Sequence, residues 1–114
     1  MQNGKERCCE VNITTDAFHA VEIEKELLTN KLAYECQTYQ AVTIREFKSD
    51  GHVDKINMNI KTIDSLLSKV VETIRSFDNL TGDDAYSINI YYRDLCGDER
   101  TLDKIRNALK RDAE

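Results

Sequence analysis

The 114-residue chain contains no proline and no tryptophan, and neither absence bears on function. It also lacks any apolar run near the roughly 18 residues of a membrane span, so no transmembrane segment is expected. The opening MQNGKERCCE holds no apolar signal region. Secretion is therefore unsupported, and a cytoplasmic protein is expected. An excess of positive charge is missing as well. The net charge of −5 disfavours a wholly electrostatic nucleic-acid binder, although a local basic face remains compatible with it.

Catalytic signatures are absent. There is no glycine-rich phosphate loop, no G-x-S-x-G and no H-E-x-x-H. The D-x-[DN]-x-[DN]-G calcium loop is not matched either. Asp78, Asp83, Asp84, Asp94 and Asp98 could gather at loop ends around Mg²⁺, but such acidic loops are ordinarily solvated. His19 falls on an expected helix and has no nucleophile to serve. The four cysteines form no C-x-x-C pair. Neither His19 nor His52 stands at a zinc-ligand spacing from any of them. Cys8, Cys9, Cys36 and Cys96 read as small apolar side chains in a reducing compartment, unpaired and metal-free. Lys5 and Arg7 would favour a thiolate at Cys8 or Cys9, yet no partner base is identifiable. No enzyme, no cofactor and no metal are therefore expected.

The clearest pattern present is Asp54–Phe77. Ile56, Met58 and Ile60 alternate with Lys55, Asn57 and Asn59, the period of a half-buried strand. Ile63, Leu66, Leu67, Val70, Val71, Ile74 and Phe77 then recur at steps of three and four, one stripe of a helix. Thr62 is the expected N-cap. Upstream, Cys9, Val11 and Ile13 alternate with Glu10, Asn12 and Thr14 and predict a first strand. Thr14-Thr15-Asp16 can cap a helix over Ala17–Asn30, extending as far as Tyr39. Phe18, Val21, Leu28, Leu32 and Cys36 are its expected inner face. Its Ala, Glu, Lys and Leu content favours helix, with a strand as the rival.

Val42 and Ile44 belong to a hairpin with the Ile56 strand. A Ser49-Asp50-Gly51 turn would place Ile44 opposite Ile56 and Val42 opposite Met58. Tyr86, Ile88, Ile90 and Tyr92 alternate in a further strand. Gly97-Asp98 opens a last helix with Leu102, Ile105 and Leu109 inward. Residues 1–7 are polar and expected to be flexible, leaving 8–114 as one domain. The order is β-α-β-β-α-β plus a C-terminal helix. This is the ferredoxin-like α+β arrangement, a four-stranded antiparallel sheet with helices on one face. Were Ala17–Tyr39 a strand, the fold would be a meander backed by two helices.

The pleat defines a face turned away from the helices. It would carry Arg45, Phe47, Lys55, Asn57, Asn59, Asn89, Tyr91 and Arg93, with Asn12 and Thr43 beside them. Aromatic rings and Arg stack on bases and Asn reads base edges. The same residue types anchor protein interfaces. The aromatic-rich strand motif of RNA-recognition domains is absent, which favours a protein partner over nucleic acid. The expected function is a small non-enzymatic regulator or inhibitor acting through protein contacts, of the kind carried by phages and mobile elements. The alternatives are a nucleic-acid-binding module using the open sheet and a homodimeric structural subunit.

Overall fold

The computed structural model describes residues 5–39, 42–44, 53–78 and 88–111, with backbone alone at 42–44, 53–55 and 78. The elements are β1 (Cys8–Thr15), α1 (Ala17–Thr29), β2 (Glu35–Thr38), β3 (Val42–Ile44), β4 (Val53–Ile63), α2 (Asp64–Asp78), β5 (Asn89–Asp94) and α3 (Glu99–Leu109). The strands lie in the order β2-β4-β1-β5, all pairs antiparallel. Each β-α-β unit is therefore split by a strand of the other, the ferredoxin-like arrangement.

β3 takes up the pairing with β4 where β2 leaves off, so the two act as one interrupted edge strand. The register steps by one between them. Tyr39 N–H donates to Asn57 O at 2.8 Å, while Val42 pairs with Lys55. The step is invisible to a period count. It places Val42 and Ile44 opposite Lys55 and Val53, not opposite Met58 and Ile56 as the short turn required. The expected Ser49–Gly51 turn itself lies outside the described residues.

α1 begins where Asp16 accepts the His19 N–H at 2.9 Å, an N-cap in extended conformation. It runs over Ala17–Thr29 with Asn30 as C-cap, as the expected Ala17–Asn30 helix required, and does not extend to Tyr39. Leu32 N–H reaches Leu27 O at 2.9 Å and Lys31 N–H reaches Leu28 O at 3.2 Å. Lys31 adopts φ 54°. These are the two bonds and the left-handed residue of a Schellman stop, and buried Leu27 and Leu32 supply its apolar contact. The chain then turns into β2 instead of continuing as helix. The inner face of α1 is also rotated from expectation. His19, Ala20, Ile23 and Leu27 are buried, while Phe18 is 72% and Val21 61% exposed. Two apolar stripes overlap on this helix, and the Ala20-Ile23-Leu27 stripe is the one that packs into the core.

α2 buries Leu66, Val70 and Ile74, with Leu67 and Phe77 packed at its margin. Thr62 is not its cap. It belongs to β4, is fully buried, and donates Oγ1–H to Leu32 O at 2.7 Å. The first turn is satisfied from the other end of the chain. Glu6 Oε1 accepts Ser65 N–H at 2.6 Å and Arg7 O accepts Asp64 N–H at 2.8 Å. A carboxylate at the positive end of the helix dipole is favourable. The tail expected to be flexible meets the described residues only at 5–7, and these three are tied to the body.

α3 starts on an Asp98 N-cap, whose carboxylate accepts Thr101 N–H at 2.9 Å. It packs on β4 and β1, and Cys8 Sγ–H points to Leu102 O at 3.6 Å. Leu102, Ile105 and Leu109 are buried as the spacing required. Arg106 is buried too, donating to Glu99 and Asp103 at 3.0 and 2.8 Å and to Glu6 O at 2.7 Å. The core is thus Val11, Ile13, Met58 and Ile60 under α1 and α2, joined to Cys8 and Ile63 under α3.

Candidate functional site

Register decides which residues share the open face. Asn12 pairs with Asn59 on β4 and with Tyr91 on β5. Gln37 pairs with the same Asn59. One row across the sheet is therefore Gln37, Asn59, Asn12 and Tyr91. The next row holds Asn57, Thr14 and Asn89, with Tyr39 bonded to Asn57 at its edge. Below the first row lie Glu35, Lys61, Glu10 and Arg93. Alternation sends Val11, Ile13, Met58 and Ile60 the other way, into the core.

Five of the expected residues, Asn57, Asn59, Asn89, Tyr91 and Arg93, are thus brought together. Lys55 lies further along β4, paired with Val42, and only its backbone is described. Arg45 and Phe47 lie outside the described residues. Arg93 is not a free anchor. Its Nη2 and Nε donate to Glu10 Oε1 at 3.0 and 3.3 Å. Lys61 is paired likewise with Glu35 at 2.9 Å. Among the described side chains of this face, Lys61 and Arg93 are neutralised by neighbours on the same face.

The sequence reading missed Tyr39, Gln37 and Glu10. Tyr39 was assigned to the far end of a long helix. The only signal for β2 was the polar run ECQT, which has no apolar alternation to mark a strand. Tyr39 Oη donates to Gln37 Oε1 at 3.3 Å and receives Asn59 Nδ2–H at 3.0 Å. Its ring is thereby held toward β4. Tyr91 stands on the opposite edge strand, 69% exposed. Between them is a cleft of about 290 Å³ floored by asparagine and threonine side chains.

Other candidate groups do not assemble into a site. Among the described residues, no three Cys, His, Asp or Glu side chains could share a metal ion. Asp98 is engaged as a cap and Asp94 lies 3.7 Å from Arg7. The reactive-thiolate reading of Cys8 and Cys9 is corrected. Both are buried, and burial pushes Cys8 up and Cys9 up to about 11, against the smaller opposing pull of Arg106 and Arg7. His19 is buried against Phe18 and Phe77, its Nδ1 2.6 Å from Asp16 Oδ2 but off the angle of a hydrogen bond. No nucleophile stands in that contact set.

No protein-family description matches the sequence, and no curated protein matches it. The solved structures do. The divalent ion tolerance protein CutA1 of Ehrlichia chaffeensis superposes with a TM-score of 0.76 at 16% identity, over 93% of this chain and 98% of that one. This chain has the CutA fold. The periplasmic divalent cation tolerance protein CutA of Archaeoglobus fulgidus matches at TM-score 0.72 and 19% identity, over 90% and 99% of the two chains. CutA1 of Oryza sativa matches at 0.71 and 14%, over 90% and 93%. The CutA likeness covers 90% or more of this chain in each case. No helix among the described residues is long and apolar enough to cross a membrane.

Proposed function

We propose that this chain is a non-catalytic, self-associating cytoplasmic protein that serves divalent-cation tolerance, the role its structural neighbours carry in their names. The observation behind self-association is the β3–β4 ribbon. β1 pairs with β4 only over Ile56–Ile63, so Val53–Lys55 run on with β3 as their partner among the described residues. A two-stranded ribbon is marginal by itself, and open strand edges invite pairing. A second copy of the chain offers the matching edge. The chain is also extended for its length. Its radius of gyration is 15.2 Å, against about 13 Å for a compact domain of this size.

The regulator or inhibitor reading finds no support among the neighbours. Of the cations the nucleic-acid alternative relied on, Arg93 is engaged by Glu10, and the side chains of Arg45 and Lys55 lie outside the described residues. Self-association, previously the third reading, fits best. Native mass spectrometry and light scattering across a concentration series test it. A defined homo-oligomer is expected, and a monomer at every concentration would overturn the reading. The cation role is tested separately, by expressing the chain in a copper-sensitive host. Growth at higher copper is expected. Unchanged growth beside an intact oligomer would remove the cation role and leave the assembly.

A further inference from the structure

We propose that the outer face of α1 docks a basic amphipathic helix of a partner protein. α1 and α2 lie side by side on the sheet face opposite the open one, and α1 buries His19, Ala20, Ile23 and Leu27 toward the sheet. Its other side is apolar where a solvated helix is polar. Phe18 and Val21 are largely exposed there, and Leu28 follows on the same stripe. Single exposed apolar side chains are ordinary, but several on one helix face mark an interaction site. From Phe18 to Leu28 the stripe runs roughly 15 Å along the axis, about three turns of a partner helix.

Phe18 is held in place by its neighbours. Its ring meets His19 edge-on, with centroids 5.7 Å apart, and His19 lies 6.2 Å from Phe77 of α2. The three rings link the stripe to the groove between α1 and α2. That groove has a volume of about 490 Å³ and is lined by Glu26, Lys69, Glu72, Thr73, Ser76 and Phe77. An anchor already packed against its neighbours loses less freedom on binding.

Charge selects the occupant. Elsewhere Glu10 pairs with Arg93, Glu35 with Lys61, Glu99 and Asp103 with Arg106, and Asp64 and Asp94 with Arg7. Glu22, Glu24 and Glu26 of α1 make no ion pair with a described residue, and Glu26 accepts only from Asn30 Nδ2–H at 3.1 Å and its own turn. By the helical period Glu22 and Glu26 flank the stripe on the α2 side and Glu24 flanks it on the other. Lys25 is the one lysine or arginine of this helix. Three carboxylates against one ammonium around an apolar stripe complement a helix with apolar side chains on one face and Lys or Arg at its margins. The same carboxylates repel the anionic headgroups of a membrane surface. A second copy offers no such helix among the described residues. α3 carries Arg100 and Lys104 outward, but its apolar stripe of Leu102, Ile105 and Leu109 is buried in its own core. The occupant is therefore a different protein.

Fluorescence anisotropy with a labelled amphipathic Leu/Lys peptide, its leucines at helical spacing, tests this. A scrambled peptide of the same composition keeps the charge and loses the apolar face. A Leu/Glu peptide keeps the face and reverses the charge. The Leu/Lys peptide should saturate at one per chain and bind at least roughly tenfold tighter than either control. The double variant Phe18→Ser, Val21→Ser should weaken it roughly tenfold. Glu22→Gln with Glu26→Gln should weaken it roughly fivefold and lessen its salt dependence. Thermal melts and native masses of both variants should match the parent. Equal binding of the patterned and scrambled peptides would overturn the proposal on the parent chain alone, and so would parental binding by both variants. Loss of the parent's native mass in Phe18→Ser, Val21→Ser would assign the stripe to a second copy. Co-sedimentation of the chain with anionic phospholipid vesicles would assign it to a membrane, and either result overturns the proposal.

Discussion

Lys31 holds the left-handed conformation at the end of α1, with φ 54°. For a residue with a Cβ this conformation costs roughly 1–2 kcal/mol. Glycine removes that cost but adds backbone entropy to the unfolded chain, roughly 0.5–1 kcal/mol. Lys31→Gly should therefore stabilise the domain by about 0.5–1 kcal/mol. The bonds from Arg111 to the carbonyls of Asn30 and Lys31 are to backbone and survive the change. A rise in the urea midpoint at unchanged slope checks it. Thr62→Val runs the other way. It leaves Leu32 O without its buried donor, which should cost roughly 1–3 kcal/mol. The thiols give a pH signature. Burial pushes Cys9 up to about 11 and Cys36 up to about 12, from about 8.5 in the unfolded chain. A raised folded value means that the fold prefers the neutral thiol. That contribution is full below about pH 8.5 and is lost as pH rises through the folded values. Stability should fall across that alkaline window. Cys9→Ala should flatten part of the fall in urea titrations run at stepped pH.

The elements show how far period alone carries. β4, α2 and α3 were legible because each turns an apolar stripe toward the core, whereas β1 and β5 were legible as strands but not in burial: Cys8 and Glu10 are buried beside Val11 and Ile13, and Tyr92, expected inward with Ile90, is 60% exposed. α1 was legible as a helix but not in orientation, since Phe18-Val21-Leu28 and Ala20-Ile23-Leu27 both satisfy the helical period. β2 was illegible because an edge strand with one face open needs no apolar alternation. The β3 register was lost to the single-residue step after Tyr39, and the cap of α2 to a carboxylate distant in sequence. The site was read to the same depth. Asn57, Asn59, Asn89 and Tyr91 followed from alternation, while Tyr39 followed from nothing local. The corrected orientation of α1 has a sharp consequence. Leu27→Ala should cost about 2–5 kcal/mol, because Leu27 is fully buried. Val21→Ser, on the expected but exposed stripe, should stay within about 0.5 kcal/mol of the parent. Denaturant curves of the two variants decide between the faces. Equal losses would mean that both stripes are covered.

At the scale of the whole molecule the question is what completes the fold. Within one chain, Glu6, Arg7 and Arg106 already join the N-terminal segment to α2 and α3, so the Cys8–Ile63 end of the sheet is closed. The opposite end is not. There β4 outruns β1, and β3 is its cover among the described residues. If a second copy seals that end, folding and association are linked, and the native state gains stability from protein concentration itself. The melting temperature should then rise with concentration and fall on serial dilution, without a change in the far-ultraviolet spectrum of the native state. A chain whose ribbon is self-sufficient would melt at the same temperature throughout. Scanning calorimetry over a dilution series separates the two, and a concentration-independent melt would show that any assembly contributes nothing to the stability of this sheet.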